Sequence, residues 1–202
     1  MIDSFVFLAP ILLLPVVMLL AFIGCNAVFG IQPTTLLVRL FRTNCGGPAV
    51  ADTDLGWADD SDPNAADTPN KGFPLQNTGN AVIDPATGSA AGTIYETCRF
   101  GNPGLSYTYM VGQGTYTVLL KFAQISDDPN FAGPFAFKMD GGAPQIIEEN
   151  NFDVVSLAGN TRTKYDYQEN VTVSEAGMLT ITFSEAQNHG NFPFINAIEI
   201  DN

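Results

Sequence analysis

The residue types that carry most enzyme chemistry are scarce in this chain. His189 is the only histidine, and there are three cysteines among 202 residues. Zinc sites, haem sites and Ser/His or Cys/His nucleophile systems usually need histidine, so a single one excludes their common forms. Glu148 and Glu149 are adjacent in sequence and would point to opposite faces of a strand, so they cannot flank one glycosidic bond. We therefore predict a non-catalytic protein that needs no cofactor.

Aspartates are concentrated in one stretch of the chain. Their carboxylates are ligands that calcium prefers, but the spacing lacks the glycine and the terminal glutamate of an EF-hand loop. A calcium-binding loop and a solvated acidic loop are the two interpretations, and the spacing favours the solvated loop, with no metal site. The residues concerned are Asp52, Asp54, Asp59, Asp60 and Asp62.

The charge balance limits the partners of this protein. There are 8 Lys+Arg against 21 Asp+Glu, which gives a formal net charge of -13. Such a surface repels phosphate backbones, so nucleic acid is excluded as a partner. Charged residues make up only 14% of the chain, whereas about 25% is usual in soluble proteins. Part of the chain is therefore expected to contact lipid.

The chain begins with a long apolar segment, followed by the part that would carry any site. Between Phe5 and Ile31 there is no charged residue, and about 20 apolar residues in a helix cross a hydrocarbon core of roughly 30 Å. We predict a retained transmembrane helix over residues 1–31. The prolines would kink a lone helix, so they favour a neighbouring membrane protein. The residues that mark this helix are Phe5, Pro10, Pro15, Leu20 and Phe22.

A cleaved secretory signal is the competing interpretation of the same segment. A signal peptide has a basic start and an apolar core of roughly 7 to 15 residues. Here residues 1–4 are Met, Ile, Asp and Ser, and the apolar run is longer. The pattern favours an anchor over residues 1–31, a linker over 32–35 and one domain over 36–202.

Within the predicted domain, apolar residues recur at every second position. Alternating apolar and polar residues are typical of half-buried strands, and glycine-rich segments between them indicate turns. This spacing predicts an all-β antiparallel sandwich. The inward-facing positions expected are Tyr116, Val118, Leu120 and Phe122, then Phe135, Phe137 and Met139, then Leu179, Ile181 and Phe183.

Six segments in this order resemble malectin and malectin-like domains, and the resemblance runs from about residue 37 to the C-terminus. It implies a jelly-roll-like β-sandwich that often binds carbohydrate in a cleft lined by aromatic residues. The segments are FRTNCGGP (41–48), DLGWAD (54–59), TIYETCRFG (93–101), GTYTVLLKFA (114–123), NFD (151–153) and PFINAIEI (193–200).

The resemblance also implies candidate site residues. Tyr95 stands at the position of the family's strand tyrosine, Asn191 replaces an aspartate before the last strand, and Phe73 replaces another aromatic residue. The adjacent Tyr and Phe of malectin are missing, because residues 125–128 read Ile-Ser-Asp-Asp. We expect the family's glucose disaccharide to bind poorly in such a cleft.

Two cysteines fall on strands that lie near one another in malectin-like domains. The resemblance therefore implies a disulfide between Cys45 and Cys98, with Cys25 free.

The side of the membrane on which the domain lies is ambiguous. Arg39 and Arg42 follow the helix and favour a cytoplasmic domain by the positive-inside tendency, whereas the resemblance implies a periplasmic, lumenal or extracellular one, which we expect.

Two functions are compatible with these observations. The first is a single-pass accessory subunit of a larger integral-membrane assembly, such as a photosynthetic or respiratory complex, contacting lipid and membrane subunits through its helix. The second is a membrane-tethered lectin-like module that binds a glycan. The proline-bearing helix and the incomplete sugar site favour the first.

Overall fold

The computed structural model describes residues 39–51, 56–60, 67–70, 73–76, 79–142, 145–174, 177–186 and 190–202. The predicted helix over residues 1–31 and Cys25 lie outside these ranges. Every helix found within them is too short or too polar to span a bilayer.

The described part of the chain is built almost entirely from strands. They are β1 (Arg39–Asn44), β2 (Ala58–Asp59), β3 (Asp67–Asn70), β4 (Phe73–Gln76), β5 (Thr97–Phe100), β6 (Gly104–Met110), β7 (Gly114–Phe122), β8 (Phe135–Asp140), β9 (Ile146–Phe152), β10 (Tyr165–Val173), β11 (Met178–Glu185), β12 (Phe194–Ile195) and β13 (Ala197–Asp201). One short helix, α1 (Val154–Ala158), and two 3₁₀ turns, Thr93–Tyr95 and Pro129–Phe131, complete the set.

The strands form a sandwich of two five-stranded sheets. The first has the order β10-β7-β13-β1-β2 and the second the order β3-β6-β11-β8-β9. A three-stranded sheet, β12-β5-β4, accompanies them. Neighbouring strands are antiparallel except β1 and β2, which are parallel. The predicted all-β sandwich is confirmed.

The core lies between the two large sheets and is rich in phenylalanine. Phe122 at the end of β7 is fully buried, and its ring centroid lies 4.9 Å from that of Phe152 and 6.0 Å from that of Phe135. Burying one such side chain stabilises a fold by about 1.5–3 kcal/mol. All ten inward positions predicted on β7, β8 and β11 are buried. Two-residue alternation therefore identifies the core faces of these strands.

The opposite face of the first sheet carries a buried ion cluster. Glu199 on β13 accepts from Lys121 Nζ at 3.3 Å and from Arg42 Nε at 3.3 Å. The ring of Trp57 covers both cations, with Arg42 Cζ 5.2 Å and Lys121 Nζ 5.7 Å from its centroid. Arg42 thus contributes to the packing of this sheet.

Candidate functional site

Four phenylalanine rings form a continuous cluster beside the three-stranded sheet. Phe73 on β4 pairs across the strands with Phe100 on β5, and their ring centroids are 5.6 Å apart. Phe192 stacks on Phe100 at 5.6 Å with an interplanar angle of 24°. Phe131 meets both Phe100 and Phe192 edge-on, at 5.1 and 5.7 Å. We call these four residues the phenyl platform.

The four rings of the phenyl platform differ in burial. Phe131 is buried and Phe100 and Phe192 are half-buried, whereas Phe73 leaves 58% of its surface exposed. The exposed ring of Phe73 is tilted by 36° against Phe100. A ring held against a fixed aromatic support loses little conformational entropy when it binds a ligand. The platform is therefore a preformed apolar surface.

Short backbone contacts fix the two loops that supply the lower rings. The amide of Phe192 donates to the carbonyl of Asn130 at 2.8 Å, and Gly101 N donates to the carbonyl of Pro193 at 2.9 Å. Asp128 caps the 3₁₀ turn that carries Phe131, because its Oδ1 accepts from Asn130 N at 2.9 Å. The backbone positions of Phe131 and Phe192 are thus fixed.

Asn191 places an amide next to the platform. Its Nδ2 donates to the carbonyl of Pro134 at 3.3 Å, and Phe192 follows it directly in the chain. Gly133 makes this position possible, since a Cβ there would lie 2.3 Å from Asn191 Nδ2. Of the three predicted site residues, the structure therefore associates Phe73 and Asn191 with one cluster.

The structure places the third predicted residue, Tyr95, in the interior. Only 3% of its surface is exposed, and its hydroxyl donates to Asp166 Oδ1 at 2.5 Å. Burial, and then this hydrogen bond, raise the pKa of Tyr95. Lys164 Nζ lies 6.0 Å from the centroid of its ring and pairs with Asp84 at 3.0 Å. A sugar cannot stack on Tyr95 in this conformation.

A buried ion pair anchors the strand that carries Phe100. Asp60 accepts from Arg99 Nε at 2.6 Å and Nη2 at 2.8 Å, from Gly46 N at 3.0 Å and from Tyr107 Oη at 3.2 Å. The hydrogen bond to Asp60 raises the pKa of Arg99, against the opposing effect of burial. This corrects the expectation of a solvated acidic loop at Asp60, whose surface is 1% exposed.

Three other members of that acidic stretch cannot be placed relative to Asp60. Asp52, Asp54 and Asp62 lie outside the described residues. Within the described ranges, no three acidic, histidine or cysteine side chains converge as metal ligands would.

Cys45 and Cys98 are free buried thiols, so the implied disulfide is absent from this structure. The two segments do lie together, since a Cβ on Gly46 would meet the carbonyl oxygen of Cys98 at 2.2 Å. The thiol of Cys45, however, donates to the carbonyl of Thr43 at 3.8 Å. Burial raises the pKa of both thiols.

Sequence reasoning missed three of the four platform residues. Phe100, Phe131 and Phe192 do not belong to the alternating strand patterns used to locate the core. A usable signal was present, because Phe100 ends a strand and Phe131 and Phe192 each stand beside asparagine, so all three lie outside the alternating segments. Their convergence required the fold.

The two five-stranded sheets and their strand order define the fold class of this domain. The family model of the malectin domain matches residues 39–198, so the chain belongs to the malectin domain family. A search of curated protein sequences finds no match.

Solved structures that are similar to this chain include plant receptor-like kinases and a receptor ectodomain. The plant receptor-like kinase FER is 22% identical, with a TM-score of 0.69 over 85% of this chain and 51% of its own. The complex of plant peptide RALF23 with FER and LLG2 gives 20% identity and a TM-score of 0.67, over 82% of this chain and 48% of that one. The ANX1 ectodomain from Arabidopsis thaliana gives 17% and 0.66, with coverage of 82% and 48%. The chain thus spans about half the length of these structures, and the likeness shows the fold.

Proposed function

We propose that this domain is a non-catalytic carbohydrate-recognition module whose phenyl platform binds the apolar face of a sugar ring. The observation that carries this proposal is Phe73, a large aromatic side chain left 58% exposed on top of stacked rings. Hexopyranose rings present C–H groups on one face, and these pack against aromatic rings while the hydroxyl groups seek polar partners. Asn191 supplies an amide at the edge of this surface.

The net charge of the chain favours neutral glycans over anionic ones. A formal net charge of -13 disfavours polyanionic glycans, because the ligand would approach a surface of its own sign. A neutral glycan is therefore the expected ligand. The phenyl rings of the platform and the amide of Asn191 bind and orient such a ligand, but none of these groups transfers a proton near neutral pH.

The proposal includes the location of the domain outside the cytoplasm. The neighbouring ectodomain structures support an extracytoplasmic location for this domain. The helix over residues 1–31, its membrane partners and the accessory-subunit function stay predictions from the sequence, since they depend on residues outside the described ranges. The exposed platform favours the lectin-like function.

A glycan array with the full-length chain tests the proposal, with the protein purified in a detergent that has no sugar headgroup. Phe73→Ala removes one stacking ring, and we expect an affinity about tenfold lower for any bound glycan. Met110→Ala is the matched control, because Met110 is also exposed but lies at the end of β6, away from the platform. Absence of saturable binding to every neutral glycan would contradict the proposed function, as would equal affinities of the two variants.

A further inference from the structure

A cleft lies between the loop that follows Gly79 and the turn before β10. Its volume is about 370 Å³. Its walls combine two amide side chains, two hydroxyl groups and a small apolar surface that includes Ile83. Besides Arg162, the lining residues are Asn80, Ala81, Ile83, Asn160, Thr161 and Thr163.

The backbone on both sides of this cleft is fixed. Ile83 N donates to the carbonyl of Arg162 at 2.8 Å, and Lys164 N donates to the carbonyl of Ile83 at 2.9 Å. Arg162 itself has a positive φ of 51°, which is uncommon for a residue other than glycine. Its amide donates to the carbonyl of Gln124 at 3.0 Å. A cleft held in this way is preformed, so a ligand needs little ordering of the protein.

The chemistry of the cleft suits a neutral polyhydroxyl ligand. The guanidinium group of Arg162 is occupied by Asp127, with Nη1 to Oδ1 at 2.8 Å and Nη2 to Oδ2 at 2.9 Å. Because this charge is neutralised, the cleft offers an anion little attraction. Asn160 Oδ1 accepts from the Thr161 amide at 2.8 Å and from the Thr161 hydroxyl at 3.5 Å, and the Thr163 hydroxyl donates to the Thr161 carbonyl at 3.4 Å. The oxygen lone pairs of both hydroxyls can still accept hydrogen bonds from the hydroxyl groups of an uncharged ligand.

One loop joins this cleft to the phenyl platform. Asp127 holds Arg162 at the cleft, and the carbonyl of Asn130 accepts from Phe192 N at the platform, at 2.8 Å. The two loop residues are three apart in sequence, so their Cα atoms are separated by at most about 11 Å. This loop therefore supports a side chain of the cleft at one end and a ring of the platform at the other.

We propose that the domain binds an oligosaccharide along two subsites, one unit on the phenyl platform and a later unit in the cleft formed by residues 80–83 and 160–163. This inference rests on the proposed carbohydrate-recognition function and specifies its ligand as a chain longer than a disaccharide. Affinity therefore increases with chain length until both subsites are filled.

Calorimetric titration of the full-length chain with size series of glucose oligosaccharides tests this inference. The probes are the α-1,4, β-1,3 and β-1,4 series from disaccharide to hexasaccharide. One or two further hydrogen bonds in the cleft correspond to about tenfold tighter binding of the hexasaccharide than of the disaccharide.

The variant that isolates the cleft is Ala81→Phe, which fills it without removing a hydrogen-bonding side chain. We expect this variant to lose the tenfold gain for the hexasaccharide and to keep the affinity for the disaccharide. Ala86→Phe is the matched control, since Ala86 is exposed on the same loop and does not line the cleft. The control should behave as the unmodified protein.

The outcomes separate this inference from the function on which it rests. Equal affinity for disaccharide and hexasaccharide, or a hexasaccharide affinity unchanged in Ala81→Phe, overturns the second subsite and leaves the platform function intact. Loss of affinity for the disaccharide in Ala81→Phe also overturns it, because the cleft would then belong to the first subsite. If no member of the three series binds, the proposed function fails for neutral glucans and the inference fails with it.

Discussion

Replacing Asp60 by alanine should destabilise the domain strongly, because four donors converge on this buried carboxylate. Without it, Arg99, the Tyr107 hydroxyl and the Gly46 amide all lose a partner. Removing one partner of a buried ion pair costs about 3–5 kcal/mol. The side chain of Arg99 keeps 15% exposure, so its freed charge can reach water and we expect a loss near the lower limit, about 3 kcal/mol.

Urea unfolding measures this loss, and Trp57, the only tryptophan, reports on it by fluorescence. With an m-value of about 2 kcal/mol/M, the midpoint should fall by about 1.5 M. Asp127→Ala is the matched control, because it also breaks a bidentate pair with an arginine, but its carboxylate is 77% exposed. Such a pair contributes less than about 1 kcal/mol. Midpoint shifts of equal size in the two variants would refute the reasoning from burial.

Two further predictions concern tyrosines. Burial raises the pKa of Tyr167 to about 12, above the value of about 10 for a tyrosine in an unfolded chain. Between these two values the folded state keeps a proton that the unfolded state releases. The free energy of unfolding therefore falls as pH rises from about 10 to 12. In urea titrations across that window, Tyr167→Phe should lose stability less steeply than the unmodified protein, and parallel curves would contradict this. Lys164→Ala truncates the side chain that lies above the ring of Tyr95 and pairs with Asp84 at 3.0 Å, so the ring should gain solvent access and its nitration by tetranitromethane at alkaline pH, followed by mass mapping, should be faster. Lys138→Ala is the control for a lysine paired elsewhere, and equal nitration in both variants would show that Lys164 does not protect the ring.

The sequence was sufficient to predict the sandwich, and it singled out two residues that the structure places at or beside the phenyl platform. Alternation of apolar residues along β7, β8 and β11 is a local property, since a strand exposes alternate side chains to opposite faces wherever it lies. The order of the family-like segments predicted the domain that the match to residues 39–198 shows. Phe73 and Asn191 were identified by position, and both lie at or beside the phenyl platform.

Burial and convergence were decided by the tertiary structure. Tyr95 was a candidate binding residue by its position, but Lys164 and Asp166, about seventy residues later, enclose it. Asp60 belonged to an acidic stretch, and only the approach of β5 brings Arg99 to it.

The sequence alone thus determined which faces of the strands are apolar and to which family the domain belongs, because both follow from neighbours along the chain. The tertiary structure decided which aromatic rings are stacked in the open and which polar groups are buried with partners. Phe100, Phe131 and Phe192 come from separate segments, and their contact exists only once β4, β5 and β12 are paired. Contacts between distant segments depend on the packing of the whole domain, which no local pattern encodes.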